Sequence, residues 1–140
     1  MGMYTELVMA CRLKDDVPED VIKILQYMCG EKVDDLKIPT DHEFFSYELW
    51  PMLNADSYYF VGQTHSMIRK VHELIGWRLT VRTNIKNYHD EIEKFLDWLN
   101  PYMKYYDPIE FLGYIRYEED VFPTLIYLDN GKLHFKQGAF

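Results

Sequence analysis

The chain has 140 residues, 48% hydrophobic and 27% charged, which is enough for one well-formed core and too little for two. Its formal charge of −8 argues against a nucleic-acid partner, whose phosphates need clustered Lys and Arg, and against an anionic membrane surface. No apolar run approaches the roughly 18 residues that span a bilayer, and the start of the chain, with Glu6 and no basic leader, does not read as a signal peptide. Cys11 and Cys29 are far apart in apolar surroundings, so a cytoplasmic protein with free thiols is expected.

The first element is an alternating strand in which Leu7, Met9, Cys11 and Leu13 interleave with Glu6, Val8, Ala10 and Arg12. Asp16, Pro18 and Glu19 then announce a helix. Its apolar stripe is Val21, Ile24, Leu25 and Met28, spaced i, i+3, i+4 and i+7, and it ends near Gly30. Residues 31–56 follow as a long connection. It holds seven acids (Glu31, Asp34, Asp35, Asp41, Glu43, Glu48, Asp56) against Lys32 and Lys37, a formal −5, and the aromatics Phe44, Phe45, Tyr47 and Trp50. Strands are expected at 58–61 and 67–74.

The pattern then repeats. Leu79, Val81, Thr83 and Ile85 alternate with Arg78, Thr80, Arg82 and Asn84, matching the first strand at an offset of 72. Asn87, Asp90 and Glu91 start a second helix whose stripe, Ile92, Phe95, Leu96 and Leu99, matches the first at an offset of 71. Asn100-Pro101 stops it. Strands are expected at 111–118 and 123–128. Asn130-Gly131 then turns the chain into a last strand at 133–136, since both residues tolerate positive φ. Gly62 and Gly113 are candidate equivalent positions.

These matches predict a single α+β domain over 1–140: duplicated β-α-β-β, ferredoxin-like halves with an antiparallel sheet and two main helices on one face. The first half covers about 3–74 with an insertion at about 31–56, and the second about 75–138. The layout resembles small bacterial or phage proteins in general terms only, and that likeness carries no function.

Catalytic motifs are not found. Gly131-Lys132 lacks the rest of a phosphate loop, and Cys11 and Cys29 lack the close spacing of a zinc or redox pair. Histidines 42, 65, 72, 89 and 134 are spaced poorly for a shared metal, and paired acids such as Asp15-Asp16, Asp34-Asp35 and Glu118-Glu119 fall in turns. The aromatic run from Phe111 to Tyr117 lacks the basic residue and Gly-aromatic-Gly start of an RNA-recognition strand. No cofactor and no metal are expected.

The functional expectation is therefore a non-enzymatic module that binds a protein with a basic surface or self-associates, for example an immunity-like or antagonist protein. No nucleic-acid or membrane partner is expected. Its candidate binding residues are Asp41, His42, Glu43, Phe44, Phe45, Tyr47 and Trp50, on an insertion that forms a separate surface excursion. Against this stands the simpler view that the aromatics cap the core while the acids face water. The alternative function is a small-molecule pocket or modest enzyme between the sheet and the 31–56 insertion, using His42, Tyr47 or Trp50.

Overall fold

The computed structural model describes residues 3–72 and 76–138. In chain order the elements are β1 (Thr5–Leu13), α1 (Glu19–Met28), β2 (Met67–His72), β3 (Gly76–Ile85), α2 (Glu91–Leu99), β4 (Met103–Lys104), β5 (Ile109–Tyr117), β6 (Thr124–Asp129) and β7 (Lys132–Gln137). A 3-10 turn, Glu43–Ser46, lies between α1 and β2, and another, Asn100–Tyr102, follows α2.

Strand alternation separates the two faces of the sheet. In β1 the buried residues Leu7, Met9, Cys11 and Leu13 point one way and Val8, Ala10 and Arg12 the other. Their partners on β3 follow suit: Leu79, Val81, Thr83 and Ile85 are buried opposite Cys11, Met9, Leu7 and Thr5. The strands form one antiparallel sheet in the order β2-β3-β1-β5-β6-β7, with β4 paired to the end of β1. Strands β1 and β2 are both antiparallel to the intervening β3 and so run in the same direction, joined through α1. Strands β3 and β5 stand in the same relation across β1, joined through α2. Two β-α-β units are thereby interleaved. The hairpin β6-β7 extends the second of them, and its turn carries positive φ at Asn130 and Gly131, as the Asn-Gly pair requires.

Both helices bury their predicted stripes in one continuous core with the odd-numbered residues of β1 and β3. That places α1 and α2 on the same side of the sheet and, among the described residues, leaves the other side without a helix. Neither helix has a side-chain bond from its cap residue, Pro18 for α1 and Asp90 for α2. At α2 the upstream Asn87 takes that part, its Oδ1 accepting from the Ile92 N–H at 2.8 Å. The end of α1 turns at Gly30, where φ is +93° and the Gly30 N–H bonds back to the Tyr27 carbonyl.

Three expectations need correction. Residues 58–61 form bends rather than a strand, because Phe60 is buried while Tyr58 and Val61 face water, an arrangement no paired strand imposes here. Gly62 is therefore not the equivalent of Gly113, which sits inside β5. The expected strand at 67–74 is seen to His72, and its last two residues lie outside the described residues. Residues 31–56 are not a separate excursion: Phe44, Phe45, Trp50, Met52 and Leu53 belong to the core, and the Thr83 hydroxyl donates to the Met52 carbonyl at 2.7 Å. The segment completes the helix layer over the end of β3.

Candidate functional site

The seven candidate residues in 41–50 divide into two groups. Phe44, Phe45 and Trp50 pack with Phe95 and Trp98 of α2, with ring centroids 5.0–6.5 Å apart. Phe44 is completely buried. Contacts of this kind add about 0.5–1.5 kcal/mol per pair beyond area burial, so they hold the segment down and are not free to meet a partner.

Asp41, His42, Glu43 and Tyr47 lie at the surface beside α2. His42 caps the 3-10 turn: its Nδ1 accepts from the Phe44 N–H at 3.1 Å, and its Nε2 lies 2.9 Å from Asp97 Oδ2. The first bond puts the proton on Nε2, which donates to Asp97. Both ring nitrogens are thereby occupied, and His42 has no lone pair left for a metal or for proton abstraction. The Tyr47 hydroxyl donates to Glu43 Oε1 at 2.8 Å, and Lys94 Nζ stands 3.5 Å from the same oxygen. The Tyr47 hydrogen bond, with Lys94 beside it, holds the Glu43 carboxyl below the usual carboxylate range. The His89 ring stacks on Tyr47 at 5.5 Å. This is a self-satisfied surface network.

Three hollows adjoin the segment. One of about 630 Å³ is lined by Asp20, Lys37, Asp41, His42, Asp97 and Asn100, among others, and one of about 490 Å³ by Asp41, His42, Glu43, Asp90, Glu93, Lys94 and Asp97. The third, about 430 Å³, opens between residues 48–56 and the sheet, against Tyr4, Leu49, Met52, Asn84 and Lys86, and it includes neither His42, Tyr47 nor Trp50. Among the described residues no group of three or more His, Cys, Asp or Glu is arranged to hold a metal ion. Nor, among the described residues, is any helix long and apolar enough to cross a membrane.

The helix-free face of the sheet is chemically different. Its residues follow from register: Glu6, Val8, Ala10 and Arg12 of β1 stand opposite Asn84, Arg82, Thr80 and Arg78 of β3. On β5, Arg116 and Tyr114 stand opposite Glu6 and Val8, and on β2 Arg69 stands opposite Arg78. The chain has five arginines, at 12, 69, 78, 82 and 116, and every one is on this face. Arg12 pairs with Glu110 and Arg116 with the buried Glu6, each at 3.5 Å, while Arg116 also lies over the Phe60 ring. Arg69, Arg78 and Arg82 have no carboxylate within ion-pair distance among the described residues. The Nε of Arg82 is buried without a hydrogen-bond partner among them.

A groove runs along this face. One hollow of about 630 Å³ is lined by Val8, Ala10, Gln63, His65, Arg82 and Tyr114, and one of about 320 Å³ by Arg12, Arg78, Lys104 and Glu110; both include Ala10, Thr80, Phe111 and Leu112. His65 is held beside Arg82 by two backbone bonds of 2.8 Å. Phe111 is exposed and its ring meets Tyr127 at 5.4 Å. Desolvation at this face, with Glu6 nearby, pushes the Tyr114 phenol up from its ordinary value.

Net charge over the whole chain conceals this surface. The signal was present: Arg12, Arg78 and Arg82 each occupy the polar phase of a strand whose other phase is apolar. Counting charge by phase would have found a basic face on an acidic protein. Comparison with family models, with curated proteins and with solved structures finds no match to this chain.

Proposed function

We propose that this chain is a non-enzymatic protein-binding module whose working surface is the helix-free face of the sheet, and that its partner presents acidic groups there. The observation that carries this reading is the placing of all five arginines on one face of a chain whose formal charge is −8. Arginine with tyrosine and phenylalanine is the composition of interface centres, where a guanidinium can grip a carboxylate through two parallel hydrogen bonds. The seven acids of 31–56 are exposed; Asp41 and Glu43 lie beside α2, while Glu48 and Asp56 line the hollow against Tyr4, Asn84 and Lys86. At physiological salt the Debye length is about 8 Å, so the acids on the helix side weaken attraction at the sheet face only modestly.

The test is calorimetric binding of poly-L-glutamate at low and physiological salt. Binding should be salt-sensitive and should vanish in the Arg69→Glu/Arg78→Glu variant while persisting in Asp34→Lys/Asp35→Lys. Binding that survives Arg69→Glu/Arg78→Glu would take the working surface off this face.

A partner with a basic surface is the second reading, favoured by the exposed Asp34, Asp35, Asp41, Glu43 and Glu48. Self-association combines the two, with the acidic side of one copy against the arginine face of another. The 430 Å³ hollow beside Leu49 and Lys86 supports a small-molecule alternative. We further propose a ferredoxin-like duplication, in which Val21, Leu25 and Met28 correspond to Ile92, Leu96 and Leu99; the two interleaved β-α-β units support it. A cytoplasmic setting accords with the free cysteines 11 and 29.

A further inference from the structure

We infer that the groove over β1 and β3 receives an extended acidic polypeptide whose carboxylates are four residues apart. This rests on the sheet-face reading above and narrows it to one ligand pattern. The floor of the groove is Ala10 against Thr80, two small side chains paired across the centre of the sheet. Arg82 stands at one end and Arg78 at the other, both on β3, and neither has a carboxylate partner among the described residues.

Four residues of strand separate these two arginines, roughly 13 Å at about 3.3 Å per residue. An extended peptide rises by the same amount, and its side chains at i and i+4 point to the same side. One carboxylate can therefore meet Arg82 while the next meets Arg78, with Arg12 across the strand from Arg78. The residue at i+2 falls over Ala10 and Thr80, where the exposed Phe111 ring offers an apolar wall.

Arg82 is set in advance for this role. Its guanidinium packs over Gly62, where an added Cβ would come within 2.7 Å of Cζ and 2.8 Å of Nη2. A side chain placed before binding loses less freedom on binding. The planar fork of arginine also matches a carboxylate in a way a lysine ammonium does not.

The experiment is fluorescence anisotropy with the full chain and labelled nine-residue peptides of equal charge. One carries two glutamates at i and i+4 with valine between them at i+2, and the other carries them at i and i+3, which point to opposite sides. A nine-nucleotide oligouridylate is the third probe. The i,i+4 peptide should bind roughly tenfold tighter than the i,i+3 peptide, as expected for one additional bidentate carboxylate contact. Arg78→Gln should abolish that preference without changing the melting temperature, and Arg82→Gln should abolish it in a protein that still unfolds cooperatively. Equal affinity for the two peptides would overturn the spacing claim and leave the sheet-face reading standing. Tighter binding of the oligouridylate would overturn the polypeptide ligand, and no binding of any probe would overturn both readings.

Discussion

Gly113 shows how one missing side chain shapes the sheet. It lies opposite Met9 at a register shift in β5, and a Cβ there would collide with the Val8 carbonyl oxygen and come within 2.6 Å of the Met9 Cα. Backbone atoms in a central strand cannot move aside cheaply. Gly113→Ala should therefore cost about 1–3 kcal/mol in urea unfolding, the usual range for overpacking. A loss below about 0.5 kcal/mol would mean that the bulge relaxes. Glu110 offers a pH test at the same scale. Its carboxylate accepts the backbone N–H groups of Asp107 (3.0 Å) and Tyr106 (2.8 Å), which lower its pKa, and Arg12 lowers it further. A carboxyl lowered in the folded state contributes stability above its unfolded value, about 4.3, and loses it as the pH falls through the folded value. Glu110→Gln should thus flatten the fall in melting temperature below about pH 4.3, and an unchanged acid limb would contradict the assignment. The two thiols are the quiet counterpart: burial pushes Cys11 and Cys29 up to about 12, so neither is a nucleophile at neutral pH.

Among the elements, helices and paired strands were legible because their periodicities are local. The stripes of α1 and α2 are buried residue for residue, and Leu25 and Leu96 have no exposed surface. Leu25→Ala and Leu96→Ala should each destabilise by about 2–5 kcal/mol, and losses below about 1 kcal/mol at both would remove the helices from the core. The 31–56 segment is not legible as core because its apolar residues carry no period: Phe44, Phe45, Trp50, Met52 and Leu53 are brought inward by tertiary contacts with α2 and β3. Sequence spacing could not distinguish a buried irregular segment from an exposed one. Replacing residues 31–56 by a short Gly/Ser linker should abolish cooperative unfolding. A folded product would restore the surface-excursion view.

At the scale of the whole molecule, the feature that organises function is the separation of charge across the layers. Acids crowd the exposed side of 31–56, while the arginines share the face that the helices leave open. Strand phase encodes this arrangement, but only the pairing register shows that separate strands align their phases on one side. The same register brings Arg78 and Arg82 to the two ends of a groove floored by Ala10 and Thr80. Electrostatic complementarity of this kind governs encounter and specificity more than raw affinity, so location is a sharper test than strength. The most direct measurement is an amide chemical-shift titration of the labelled protein with poly-L-glutamate. The largest perturbations should fall on β1, β3 and β5, around Ala10, Arg78, Thr80, Arg82 and Tyr114; perturbations centred on 31–56, or none at all, would contradict the account.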